Sequence, residues 1–222
     1  MFNLVTVNEL TCKAVCTDGR GELYTKAGAM IEYQGQCKFE KVLLGPSGNP
    51  VGAFMGQIGR RLVGENIPLM KVKSSSGSIS FYANMSQHVT VIDLYPGTSL
   101  KVESENLLAF TDLCKYSFKF LAQGVISQKG LFTSELYALQ QGAQVAILSD
   151  GNPIVLDTPC YVDPDAVVAW TGDDPGLRLD LSWKNLIGQA SGESYILEFG
   201  NYGGKVVVQP SERKSGLDIR ID

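Results

Sequence analysis

Val102-Glu103-Ser104-Glu105-Asn106-Leu107-Leu108-Ala109-Phe110-Thr111 lies without a gap over Val162-Asp163-Pro164-Asp165-Ala166-Val167-Val168-Ala169-Trp170-Thr171. Three positions are identical, and five more pair acid with acid, aliphatic with aliphatic or aromatic with aromatic. A match of this kind within one chain marks an internal repeat. A shorter copy stands earlier, in Gly28-Ala29-Met30-Ile31-Glu32-Tyr33. There Met30, Ile31 and Tyr33 take the places of Leu107, Leu108 and Phe110.

A second unit recurs three times. Gly64-Glu65 is followed by Gly77-Ser78-Ile79-Ser80-Phe81, Gly130-Leu131-Phe132 by Gly142-Ala143-Gln144-Val145-Ala146-Ile147, and Gly192-Glu193 by Gly204-Lys205-Val206-Val207-Val208. The glycine spacings are 13, 12 and 12 residues, and the units begin 66 and 62 residues apart. Tyr195, Leu197 and Phe199 alternate with Ser194, Ile196 and Glu198, a period of two that belongs to strands. Each unit therefore reads as a hairpin turned by a glycine, then a strand ending in an aromatic residue. Tyr33, Phe110 and Trp170 are expected at equivalent core positions.

The expected fold class is all-β: a β-sandwich or closed β architecture built from about three diverged repeats in one domain over residues 1–222. The units are placed near residues 64–111, 130–171 and 192–208, the last completed by residues 22–34. On this reading the two termini complete one unit between them, and closure removes sheet edges. Residues 55–63, with Gly64 as a C-terminal stop, and residues 182–188, capped by Ser182, are predicted as short connector helices. The tail from Ser211 is polar and reads as a weakly packed end or a last short strand.

Composition narrows the function classes. Nineteen basic residues are outnumbered by 23 acidic ones, and the tightest basic groups are the pairs Arg60-Arg61 and Arg213-Lys214. No clustered cationic footprint for nucleic acid is present. No apolar run approaches the length of a membrane span, and no secretory leader is recognised. Five cysteines (Cys12, Cys16, Cys37, Cys114, Cys160) at irregular spacing read as reduced thiols, so a cytoplasmic protein is expected.

Candidate chemistry is sparse. Cys12-x-x-x-Cys16 is the one tempting metal spacing, but on a strand these positions stand ~13 Å apart along a face, too far for one ion. His88 is the single histidine, which excludes the two- or three-histidine metal sites of double-stranded β-helix enzymes. Asp163-Pro164-Asp165 and Asp173-Asp174-Pro175-Gly176 read as turn chemistry, with a glycosidase acid/base pair as the sharper alternative. Gly45-Pro46-Ser47-Gly48-Asn49-Pro50 and Gly200-Asn201-Tyr202-Gly203-Gly204 are glycine-rich without a phosphate-binding pattern. No serine is marked out as a partner for His88. No catalytic, cofactor-binding or metal-ligating set is assigned, and the chain is not expected to be an enzyme.

The pieces together resemble the altered-inheritance-of-mitochondria proteins and their bacterial relatives, a domain of unknown function. The matching features are Gly28-Ala29-Met30 with an aromatic soon after, Arg61-x-x-Gly64-Glu65, and the acidic turns entering Leu107-Leu108-Ala109-Phe110 and Val167-Val168-Ala169-Trp170. The resemblance covers roughly residues 20–210. It implies a fold similar to the tryptophan RNA-binding attenuator protein, a β-sandwich subunit, and brings no reaction, cofactor or catalytic residue with it. Ile67-Pro68 departs from the aromatic residues usual in the family after Gly64-Glu65. The expected function is a non-enzymatic interaction or scaffold protein, homo-oligomeric or bound to protein partners. The alternative is a small-ligand or carbohydrate-binding module presenting an exposed aromatic with nearby Asp or Asn in each unit.

Overall fold

The computed structural model describes residues 1–42, 69–121, 131–179 and 195–211. Strand β1 (Phe2–Asn8) precedes three groups of six. The first is β2 (Thr11–Cys16), β3 (Leu23–Lys26), β4 (Met30–Gln34), β5 (Cys37–Val42), β6 (Leu69–Ser74) and β7 (Ile79–Tyr82). The second is β8 (His88–Leu94), β9 (Ser99–Glu103), β10 (Leu107–Thr111), β11 (Cys114–Leu121), β12 (Leu131–Ala138) and β13 (Ala143–Ser149). The third is β14 (Ile154–Asp157), β15 (Cys160–Val162), β16 (Val167–Trp170), β17 (Gly176–Leu179), β18 (Tyr195–Phe199) and β19 (Lys205–Val208). The fold is all-β. The helical turns among the described residues are of the 3-10 type, at Ser104–Asn106 and Pro164–Ala166.

All three groups share one wiring. The first and third strands flank the sixth, and the second and fourth flank the fifth. Each group is thus a small sandwich of two antiparallel three-stranded sheets. In the third, Val167, Trp170 and Val206 of one sheet share a core with Val162, Leu197 and Phe199 of the other.

Neighbouring groups are joined edge to edge. β3 of the first pairs β10 of the second, and β9 of the second pairs β16 of the third, giving two six-stranded sheets. Strand β10 therefore has a ladder on each side and packs on both faces, which is why all five of its residues are buried. Leu107 and Phe110 face the core of their own group, while Leu108 shares a core with Leu23, Val72 and Tyr82 of the first.

The repeat is visible in the register as well. β10 loses register against β13 between Leu107 and Ala109, β16 against β19 between Val167 and Ala169, and β4 against β7 between Met30 and Glu32. A bulge at the same place in all three third strands makes Ile31, Leu108 and Val168 equivalent, and likewise Tyr33, Phe110 and Trp170. The turn before the sixth strand carries a glycine at φ 81°, 88° and 86°, at Gly77, Gly142 and Gly203. The structural counterpart in the third group is thus Gly203 rather than the expected Gly204. Lys205 follows Gly203 by two residues, as Ile79 follows Gly77.

Two expectations need correction. The chain does not complete its last unit with residues 22–34: β4 pairs β7 inside the first group, while β19 pairs β14 and β16 in another sheet. Each group supplies its own six strands, and β4 and β15 are sheet edges among the described residues. Tyr33 also departs from its equivalents. Phe110 and Trp170 are 0% and 1% exposed, but Tyr33 is 48% exposed, because among the described residues no strand pairs with β4 on its outer side to cover it. The predicted connector helices, Gly45–Pro50, Arg61, Gly64-Glu65, Gly192-Glu193 and the segment after Ser211 lie outside the described residues.

Phe110 stacks on Tyr24 at 5.1 Å and on Tyr116 at 5.4 Å. Phe110→Ala is expected to lower the unfolding free energy by about 3–5 kcal/mol in denaturant melts. Tyr33→Ala is expected to cost about 1 kcal/mol or less, the reverse of what equivalent core positions would give.

Candidate functional site

An open depression of about 390 Å³ lies in the third group, between the turn at 172–174 and the hairpin joining β18 to β19. Asp173, Asp174, Glu198, Asn201, Thr158 and Tyr202 contribute its polar atoms. Its carboxylates are engaged in holding the fold. Lys101, whose side chain is 9% exposed, donates to the Gly172 carbonyl at 2.7 Å and pairs with Asp174 at 2.7 Å. Because Lys101 belongs to β9, this ion pair fastens the second group to the third. Asp173 accepts from the Asn201 amide, and Glu198 accepts from the Tyr161 hydroxyl at 3.2 Å. Thr158 both accepts from Gly204 N–H at 2.9 Å and donates to its carbonyl at 3.2 Å, which pins the glycine-rich hairpin. That hairpin leads into a strand, so it offers no phosphate cradle.

The other candidates from the sequence do not converge on the depression. Asp163 caps the 3-10 turn by accepting from Asp165 N–H at 2.8 Å, and Glu103 does the same for Glu105 N–H at 2.9 Å. This is turn chemistry at equivalent points of two units. Burial pushes the Asp163 carboxyl above its usual range. His88 opens β8 opposite Ser149. Cys12 and Cys16 are both buried in the core beneath β2, and desolvation pushes the Cys12 thiol up to about 12. No group of three metal-ligating side chains occurs among the described residues.

Sequence reasoning misses a different feature: the edges of β4 and β15, which have no further partner strand among the described residues. On β4, Ile31 is 60% exposed, although Leu108 and Val168 at the equivalent positions are fully buried. Tyr33 meets Phe39 edge-on at 5.3 Å, whereas Phe110 stacks flat on Tyr116 at 5.4 Å. Tyr33 has no counterpart of Tyr24 on its other side among the described residues. On β15, Tyr161 is 52% exposed and held in place by Arg178, whose guanidinium lies 5.3 Å from the ring centre and donates to the hydroxyl at 3.1 Å. The alignment of Met30-Ile31-Tyr33 with Leu107-Leu108-Phe110 holds the clue, but equivalence of position does not bring equivalence of cover.

The family model described as mitochondrial biogenesis AIM24 matches residues 10–211. A crystal structure of a protein from Streptococcus pyogenes is similar in fold, with a TM-score of 0.67 and 20% identity. The match covers 96% of this chain and 94% of that one. No curated protein matches.

Two measurements follow from the geometry of these side chains. With a thiol reagent near pH 8, Cys37 and Cys160 are expected to react in the folded protein, being partly exposed. Cys12, Cys16 and Cys114 are buried and should react only after unfolding, because burial raises Cys12 to about 12 and Cys114 to about 11 and so withholds the reactive thiolate. Asp174→Ala leaves the Lys101 ammonium with one carbonyl partner. A loss of about 1–3 kcal/mol is expected in denaturant unfolding, with Lys101→Met/Asp174→Ala recovering part of it.

Proposed function

The chain belongs to the AIM24 mitochondrial biogenesis family, and from that premise we propose that it is a non-enzymatic interaction protein acting through its β edges. The observation that carries this reading is Ile31 and Tyr33, exposed at positions whose equivalents are buried by an adjoining unit. Large apolar side chains on an unpaired strand are a template for another chain, because main-chain N–H and C=O groups on such an edge seek partners. The edge is not left wholly bare: Glu32 places a charge between the two apolar residues and discourages indiscriminate pairing.

The depression supports this reading by what its residues do. Its carboxylates are tied to Lys101, Asn201 and Tyr161, with no facing acid/base pair and no nucleophile beside a base among the described residues. A carbohydrate-binding module has one feature in its favour, the 87%-exposed Tyr202 beside Asn201. The register places Ser75-Ser76 and Gln140-Gln141 at the equivalent positions, so this exposed aromatic is not repeated at the same turn of the other units.

Light scattering after size exclusion, with affinity capture from native extract, tests the interaction reading. The wild type is expected to assemble or retain a partner. Ile31→Lys/Tyr33→Lys should abolish this while leaving circular dichroism and Tm close to those of the wild type. A strict monomer that retains nothing would overturn the reading.

A further inference from the structure

Two thiols of the first group converge on one residue. Cys16, at the end of β2, donates its S–H to the Ser74 carbonyl at 3.3 Å. Cys37, at the start of β5, accepts from the Ser74 hydroxyl at 3.1 Å. Cys16 is fully buried and Cys37 is partly exposed. We propose that Cys37 is a site of oxidation by hydrogen peroxide and that Cys16 resolves it, closing a disulfide between the two sheets of the first group.

The backbone ties both cysteines to the same short segment. Ser74 is the residue opposite Cys37 in the β5–β6 ladder. Its neighbour Ser75 donates its N–H to the carbonyl of Gln36, just before Cys37, at 3.0 Å. At the other end of that turn the Ser78 carbonyl accepts from Cys16 N–H at 2.9 Å, and Gly77 N–H donates to the Cys16 carbonyl at 2.8 Å. The turn from Ser74 to Ser78 therefore carries both cysteines, one from each sheet. Closing the S–S bond exchanges two hydrogen bonds to Ser74 for one covalent bond.

The chemistry balances with hydrogen peroxide as the oxidant. Cys37 is the sulfur that peroxide can reach. Its thiolate attacks one peroxide oxygen, the O–O bond breaks and one proton is taken up, giving a sulfenic acid and water. Sulfur loses two electrons and peroxide gains them. The Cys16 sulfur then attacks the Cys37 sulfur. The S–S bond forms, the S–O bond breaks, and the hydroxide leaves with the Cys16 proton as water. A sulfenic acid captured in this way is kept from the irreversible sulfinic and sulfonic acids.

The remaining cysteines lack this arrangement. Cys12 lies four residues back along β2, ~13 Å from Cys16 along the strand and opposite Tyr82. Cys114 stands on β11 where Cys37 stands on β5, but the register sets Leu94 in the place of Cys16. Cys160 is partly exposed on β15, in a group that contains no other cysteine.

Mass spectrometry tests the pairing directly. The reduced chain is treated with a small excess of hydrogen peroxide, the remaining thiols are alkylated, and the digest is searched for linked peptides. The expected product joins Cys16 to Cys37 within monomers, with two thiols lost per chain and the circular dichroism spectrum retained. Dithiothreitol should restore both thiols. In Cys16→Ala the Cys37 sulfenic acid should persist, and its labelling by dimedone should rise about tenfold over the wild type. In Cys37→Ser, Cys16 should keep its thiol at the same peroxide dose, a readout that holds even where Cys16→Ala fails to fold. An unchanged thiol count, or sulfinic acid at Cys37 in place of the disulfide, would overturn the proposal. So would a link from Cys37 to Cys12 or Cys160, or a Cys16–Cys37 link that forms only as the folded spectrum is lost.

Discussion

The pairing of a second strand with the third strand of the next group is the constraint on which the rest of the molecule depends. A six-stranded sandwich of about 60 residues has little core and several open edges, and is marginal alone. Joining two of them through β3 and β10 extends each three-stranded sheet to six. It also gives the central strand a hydrogen-bonded neighbour on each side. Backbone groups that would otherwise need water are then paired inside the protein. This junction lets Leu108 pack on the first group, and the β9–β16 junction lets Val168 pack on the second, so each central strand serves two cores.

The polar residues near the junctions act with this architecture. Glu103 and Asp163 cap the short turns that aim β10 and β16 into their slots. Lys101 occupies in the second junction the position of Tyr24 in the first, and reaches Gly172 and Asp174 across it. A ring stack and an ion pair thus hold equivalent places. In the acidic run Asp173-Asp174, which in isolation suggests catalysis, Asp174 fastens the second group to the third and Asp173 holds Asn201 within the third.

Much of the fold was legible in the sequence. The gapless match of residues 102–111 with 162–171 is the same turn, bulge and strand in two groups, and Met30-Ile31-Tyr33 is the third copy. What failed was the inference from equivalent position to equivalent environment. Tyr33 aligns with Phe110, yet burial of Phe110 needs Tyr24 on a strand of another group, and nothing in the local pattern around Tyr33 records whether that neighbour exists. The glycine turn slipped by one residue for a related reason. Gly203 and Gly204 are adjacent, and only the register of Lys205 against Asp157 shows which one turns the chain.

The amino-acid sequence alone determined the period-two strands, the threefold recurrence and the turn residues, because these follow from short-range sterics and from side chains a few positions apart. The tertiary structure decided the six-strand wiring, the exposure of Ile31, Tyr33 and Tyr161, and the structural duty of the acidic turns. Those depend on which edges meet, and edge pairing is set by contacts between residues many tens of positions apart, whose backbone hydrogen bonds carry no signature in residue type.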